Sequence, residues 1–389
     1  MPKVALVRCQ EYEPVRVLDA MRRAFDLIGG LGRLVRPGQR VLVKPNLLSG
    51  KAPEKAVTTH PAVVRAAVAL VREAGATAWV GDSPGGVKWE GAKHALEASG
   101  IGPAAIEAGA EIQDFDAGDA EFVDFSEGVL LKRFAVAKAA READLVLSLA
   151  KLKTHGQALY TGAVKNMLGC LPGGGKLRMH QLAPTSRGLA AALLDIYAVV
   201  RPRLSLIDGI VAMEGNGPAH GDPRRLGLLI ASEDGVAADA VACHIVGYPA
   251  RSMHILRQAE ERGLGTGSVE RIEVVGERLQ DCVVPDFVRA SNRFYELIPA
   301  WLARWVGGAV RVDPEIMQQE CRRCGLCQRS CPANAIGGDG PFAIDRAACI
   351  RCFCCHELCP HGAVVLRRSW PVRLYDWMHR KKGGVRRDA

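Results

Sequence analysis

The 389 residues are 48% hydrophobic and 24% charged, enough apolar side chain to bury a full core in about two or three domains, which excludes a disordered or fibrous chain. No stretch reaches the roughly 20 uninterrupted apolar residues of a membrane-spanning helix, so the chain is expected in the cytoplasm and at most peripheral to a membrane. The formal charge of +9 raises nucleic acid as a partner, but the lysines and arginines are interrupted and sit on no reading motif, so none is expected.

From residue 3 to about 280, short apolar runs alternate with helical patterns, which predicts an α/β domain: a mainly parallel open sheet with crossover helices over 1–280. The candidate strands are KVALVR (3–8), RVLVKP (40–45), TAWVGD (77–82), DLVLSLA (144–150), RLSLIDG (203–209), LGLLIAS (226–232) and RIEVVG (271–276). Helical patterns run over Val15–Ile28, Pro61–Glu73, Ser186–Val200 and Ala237–Val246, the first two opening beside proline as helix starts do. No repeat of solenoid period precedes residue 313.

The rhythm breaks over 281–312, read as an amphipathic linker. Wound as a helix, 286–306 puts Phe287, Phe294, Ile298, Trp301, Leu302 and Trp305 on one side and Arg289, Arg293, Glu296 and Arg304 on the other, with Pro299 as a kink. The tail, 367–389, again pairs Trp370, Tyr375 and Trp377 with arginines and lysines. Such faces either dock a module onto a larger domain or partner, or lie in a membrane interface.

Polar residues collect just after the predicted strands. Lys44 and Asn46 follow one, Asp82 and Ser83 another, Lys151, Lys153, Thr154 and His155 a third, and Asp208, Glu214 and Asn216 a fourth. Ligands of open α/β sheets bind outside the carboxyl ends of the strands, so these clusters predict one shared cleft. Taken singly, each residue reads equally well as a helix cap or solvated loop residue. Lys44, Lys151, Lys153 and Lys165 suit a carboxylate or phosphate, oriented by Asn46 and Asn166. Asp82, Asp208 and Glu214 suit a hard cation or proton transfer, and His155 and His180 are acid/base or metal-ligand candidates. LPGGGK (171–176) is not a Walker loop, because Cys170 and Leu177 stand where that motif needs glycine and a hydroxyl residue. No G-x-G-x-x-G follows the first strand, so a dinucleotide has no motif support.

The most specific signal lies in 313–366. Cys321, Cys324, Cys327, Cys331 with Pro332, and Cys349, Cys352, Cys355, Cys359 with Pro360, both read C-x2-C-x2-C-x3-C-P, the spacing of a two-cluster bacterial ferredoxin. The fourth cysteine of such a run ligates the other cluster. The expected sets are therefore Cys321, Cys324, Cys327 and Cys359 for one 4Fe-4S cluster, and Cys349, Cys352, Cys355 and Cys331 for the second. Zinc prefers two separated ligand pairs closing a tetrahedron, and disulfides fit poorly because MPKVALVRCQ does not resemble an export signal. Cys354 is a spare by spacing. Two ligated clusters would bring the charge to about +5.

Both halves together resemble a family of uncharacterised iron-sulfur-centre proteins, with an N-terminal domain of unknown function and a C-terminal two-cluster ferredoxin module. The resemblance is carried by VLVKPNLL, TTHPAVVRAAVALVREAGA, VGDSPGG, LVLSLAKLKTHGQALYTGAVKNMLG, LIDGIVAMEGNGP and CIRCFCCHELCP, which span most of 40–362. It implies cluster binding and puts weight on Lys44, Asn46, His60, Asp82, Lys151, Lys153, His155, Lys165, Asn166 and Asp208. The expected function is electron transfer between a redox partner protein and a small-molecule substrate in the cleft, an iron-sulfur oxidoreductase. The rival expectation is a non-catalytic electron-transfer, assembly or redox-sensing protein whose α/β domain binds an anion, a metal or a partner. Ile336, Phe342, Ile344, Ile350 and Phe353 are the expected apolar neighbours of the clusters.

Overall fold

The computed structural model describes residues 1–85, 91–173, 175–183, 185–290 and 312–369. The strands of the larger region are β1 (Lys3–Arg8), β2 (Arg40–Pro45), β3 (Thr77–Asp82), β4 (Glu111–Asp114), β5 (Ala120–Asp124), β6 (Arg133–Ala137), β7 (Leu145–His155), β8 (Leu159–Thr161), β9 (Leu204–Glu214), β10 (Asp222–Ser232) and β11 (Glu273–Gly276). One sheet takes the order β11-β1-β10-β9-β7-β2-β3-β4, with β8 hairpinned onto β7 and the ribbon β5–β6 standing apart. Strands β4, β3, β2, β7 and β9 are mutually parallel, β10 runs antiparallel between β9 and β1, and β11 is parallel to β1. The sheet is thus mixed and mostly parallel, an α/β fold.

Side-chain alternation along each central strand explains why both faces are covered. Leu42, Val146 and Ala150 join one apolar layer with the helices Ser186–Val200 and Gly235–Ile245. Val41, Val43, Leu147 and Leu149 join the opposite layer with the helices Pro14–Leu27 and Pro61–Glu73. A strand apolar on both faces is the hallmark of a parallel sheet sandwiched by crossover helices. The helix starts are locally encoded: Pro61 occupies the first turn, and His60 Nδ1 accepts from Ala62 N at 3.2 Å. Thr185 Oγ1 accepts from Gly188 N at 3.0 Å to open Ser186–Val200.

Two strands run further than their apolar runs. β7 continues past Ala150 through Lys151, Lys153 and His155, and β9 past Gly209 to Glu214. Lys151 ended the first run and Gly209 the second, yet all eleven residues of β7 are buried, its polar ones included. Their partners come from distant chain, which hydropathy along the chain does not register.

The C-terminal region pairs β12 (Val312–Ile316) with β15 (Val364–Arg368), and β13 (Ile336–Gly337) with β14 (Ala343–Ile344), both antiparallel. Two short helices, Leu326–Arg329 and Cys354–Leu358, carry cysteines into a small core with Ile316, Ile336, Phe342, Ala363 and Val364. Of the amphipathic segment, Phe287 is buried in the sheet's core, while 291–311 and 370–389, where its remaining aromatics and the tail fall, lie outside the described residues.

Candidate metal centre and adjoining strand-exit cluster

The two cysteine runs adopt one backbone design twice. Counterparts are 28 residues apart (349 − 321), and the residues on either side of the second cysteine are left-handed in both: Arg323 and Gly325 in one run, Arg351 and Phe353 in the other. Asn334 and Gly362, three residues past the fourth cysteine, are left-handed as well. Cβ-bearing residues avoid that conformation unless their surroundings impose it. Beyond each turn, a backbone N–H donates to the fourth cysteine, Ala335 N to Cys331 Sγ and Ala363 N to Cys359 Sγ, both at 3.2 Å.

Each run wraps a cavity closed by the other. One is lined by Cys349, Cys352 and Cys355 with Cys331 from the first run, and by Ile336, Ile344, Ile350 and Phe353. Its twin is lined by Cys321, Cys324 and Cys327 with Cys359 from the second run, and by Phe342. Cys354 lines neither. Four thiols, apolar walls and N–H donors to sulfur fit an iron-sulfur cluster, whereas a single metal ion needs ligands converging on a point. No disulfide forms among the described residues.

The module rests on the strand-exit edge of the sheet. Phe353 packs on Gly156, 3.8 Å from where a Cβ would stand, and Gln181 Nε2 donates to Pro332 O. At the twin cavity, His220 Nε2 lies 2.9 Å from His356 O, His356 Nε2 lies 3.3 Å from Asn216 Oδ1, and Leu358 approaches Gly85. Lys51 donates to Ala219 O at 3.2 Å, and its charge acts on Cys359.

Beneath this seam the strand-exit residues separate into three groups. In the first, Lys44 Nζ meets Asp82 Oδ2 at 2.9 Å, and Asn166 donates to Ser148 Oγ (2.9 Å) and Lys44 O (3.1 Å). The register that sets Lys44 opposite Ser148 puts Asn166 within reach of both. Burial pushes the Asp82 carboxyl up, against the pull of Lys44 and Lys176. Lys176 donates to Ser83 Oγ (2.6 Å) and Pro84 O (2.8 Å), and burial lowers its amine to about 8. Asn46 lies alongside, its backbone N–H donating to Thr59 Oγ1 at 2.8 Å.

In the second group, Lys151 and Asp208 are register partners of β7 and β9 and form a 2.9 Å ion pair. Asp208 also accepts from Tyr12 OH (2.8 Å) and His60 N (3.1 Å), while Tyr12 OH accepts from Lys151 Nζ (2.8 Å) and Val211 N (3.1 Å). The Tyr12 ring stacks on His60 at 3.6 Å, and burial holds that imidazole down at about 4. Lys151, Asp208 and Tyr12 are bonded to one another, the arrangement of a structural network.

The third group is Lys153, His155, Lys165 and His180. Lys153 donates to Val57 O at 2.7 Å, and His155 Nδ1 accepts from Gln157 N and Ala158 N, so its proton sits on Nε2. Burial and the charges of Lys165, His180 and Lys153 lower the His155 imidazole; burial and Lys165 lower His180 to about 4. Two predicted residues serve elsewhere. Glu214 accepts from Val288 N at 2.9 Å, and Thr154 Oγ1 accepts from Gly217 N at 3.2 Å.

Tyr12, Ser148 and Lys176 were not among the sequence candidates. Tyr12 follows β1, whose end lies at the same sheet edge, so the strand-exit rule reaches it once β1 is known to run parallel to β9. Lys176 carried no signal beyond its glycine-rich loop.

The duplicated four-cysteine loops define an iron-sulfur protein, and residues 314–337 match the 4Fe-4S binding domain family. Residues 41–244 match the family described as Domain of unknown function (DUF362), to which the chain therefore belongs. It is 37% identical over 268 residues to a thylakoid-associated protein of Synechocystis sp., covering 69% of this chain and 81% of that one. Among solved structures it is similar to the lactate racemase apoprotein of Thermoanaerobacterium thermosaccharolyticum, with TM-score 0.41 and 12% identity over 63% of this chain and 57% of that one. A Thermotoga maritima protein gives TM-score 0.40 and 13% identity over 61% and 60%. No helix among the described residues is long and apolar enough to cross a membrane.

Proposed function

We propose that the chain binds two 4Fe-4S clusters, one on Cys321, Cys324, Cys327 and Cys359 and one on Cys349, Cys352, Cys355 and Cys331, and carries electrons between a partner protein and a substrate held by the α/β domain. The observation that carries this reading is the pair of cavities, each lined by three cysteines of one run and the fourth of the other. When bound, the clusters supply one-electron transfer. The protein's own part is to bury the thiolates, hold Cys331 and Cys359 with backbone N–H bonds, and seat the module on the substrate domain. In this reading 1–280 is the substrate domain and 313–366 the electron-transfer module. Fixed seating removes the cost of a separate encounter, which favours an oxidoreductase over a free carrier.

Anaerobic reconstitution followed by iron and sulfide analysis should give eight irons per chain. Cys331→Ala should abolish the paramagnetic signal of one reduced cluster, and Cys359→Ala that of the other. Four irons in the intact chain, or both variants removing the same signal, would sink the assignment. The oxidoreductase reading requires a small molecule that reoxidises the reduced clusters catalytically; acceptance of electrons by redox proteins alone overturns it.

A further inference from the structure

The two cysteine runs share a backbone but differ in what covers them. In the first, Cys324 is exposed; its counterpart 28 residues on, Cys352, is only 7% exposed. The difference begins at the next residue, which is left-handed in both runs. In the second run it is Phe353, which lines the cavity of Cys331, Cys349, Cys352 and Cys355 and packs on Gly156 of the larger region, so that corner faces inward. In the first run it is Gly325, with no side chain to cover its neighbour. A Cβ there would stand 2.7 Å from Arg329 Nη1; Arg329 occupies that space and donates to Cys324 O at 2.8 Å. Cysteine is among the residue types most often buried, so a cluster ligand left at the surface is unusual, and it shortens the path between the cluster and a docked molecule.

The exposed corner is also charged. Arg322, Arg323 and Arg329 are exposed around Cys324, against Glu320 as the one carboxylate of 320–329. Arg322 lines the cavity of Cys321, Cys324, Cys327 and Cys359 itself. Arg351, the counterpart of Arg323, is held by Asp313 at 2.9 Å, whereas the ion pairs among the described residues take up neither Arg322 nor Arg323. The Arg323 side chain lies instead along Gly340, 3.1 Å from where a Cβ would stand. Arginines left without a carboxylate in their own domain raise the local potential and steer an oppositely charged partner to it.

We propose that the Cys324 corner, rimmed by Arg322, Arg323 and Arg329, is the docking face for an acidic one-electron carrier protein. This rests on the two-cluster reading and specifies its redox partner and the cluster that meets it. Carboxylates of the carrier pair with the arginines, and one electron crosses between the carrier and the cluster of Cys321, Cys324, Cys327 and Cys359. One of the two is oxidised as the other is reduced, and no bond forms or breaks. The second cavity, with its Cys352 corner behind Phe353, stands on the substrate side.

The test uses flavodoxin, a small acidic one-electron carrier, as the probe and cytochrome c, a basic one, as the comparison, each with the reconstituted full-length chain at low ionic strength. Flavodoxin should bind the oxidised chain. Arg322→Glu and Arg323→Glu, each retaining eight irons, should weaken that binding about tenfold and slow reoxidation of the photoreduced chain by flavodoxin. Raising the ionic strength should weaken flavodoxin binding to the unaltered chain in the same direction, because exposed charges are screened. Reoxidation by cytochrome c should lose no rate in either variant. Arg133→Glu, on the exposed ribbon β5–β6, should leave flavodoxin binding unchanged. Eight irons per chain with no flavodoxin bound, binding indifferent to salt and to both variants, or an equal loss in Arg133→Glu overturns this inference alone. Four irons per chain overturns the reading beneath it.

Discussion

Asp208 shows how much a single side chain can organise. Its two oxygens accept from Lys151 Nζ, Tyr12 OH, His60 N and Ile210 N, and neither it nor Lys151 is more than 1% exposed. Removing one partner leaves the other charge buried, which typically costs about 3–5 kcal/mol. Asp208→Ala should therefore lower the urea unfolding free energy by about that amount. Tyr12→Phe, which deletes one bond to a charged group, should cost about 2 kcal/mol. Cluster spectra should survive in whatever fraction remains folded. A stability change under 1 kcal/mol in both would mean that the pair is not structural and would return it to the catalytic candidates.

Among the elements, the turn Met167–Cys170 shows why the strand exits are tightly specified. Gly169 lies against the Lys44–Asp82 pair: a Cβ there would collide with Asp82 Oδ1 and stand 2.6 Å from Lys44 Nζ. Gly169 O also accepts from Ser83 N at 3.0 Å, stitching the turn to the end of β3. Gly169→Ala should force the pair apart and destabilise the fold by about 1–3 kcal/mol, the usual cost of overpacking. Gly173→Ala, where no atom crowds the position, is the comparison; its φ of +54° carries only the smaller cost of a left-handed alanine. Equal losses in the two variants would show that close packing on the ion pair is not what Gly169 provides.

Across the whole molecule, buried and half-buried histidines contribute to the response to acid. His60, His180 and His220 are each held down to about 4 by burial, against an ordinary value of 6.5. Between pH 6.5 and 4 the unfolded chain takes up protons that the fold refuses, so stability falls as pH falls through that window and is fully present above it. His60→Asn keeps a side chain able to cap Pro61–Glu73 and should flatten the dependence of the urea midpoint on pH; an unchanged slope would remove His60 from the account. At the seam, the charge of Lys51 acts on Cys359. A nearby cation favours the more negative, reduced state, so Lys51→Met should lower the potential of the cluster on Cys321, Cys324, Cys327 and Cys359 and leave the other unmoved. Equal shifts in both potentials would show that Lys51 does not act locally.

The cysteine spacing was legible without coordinates because cluster ligation depends on short-range chain geometry: C-x2-C-x2-C fixes which thiols can surround one cavity, and the second run repeats it. The sheet was legible for the same local reason, with β2, β3 and the helices Pro61–Glu73 and Ser186–Val200 falling where apolar periodicity put them. Strand order, and with it the partner of each polar residue, was not. Lys44 and Lys151 look alike as lysines at strand exits, and only the strand order β3-β2-β7-β9 gives them their carboxylate partners, Asp82 and Asp208. Those contacts join residues such as Tyr12 and Asp208, or Gln181 and Pro332, that the chain holds far apart. A linear pattern records periodicity and spacing; which buried charges pair with one another is settled by packing between elements.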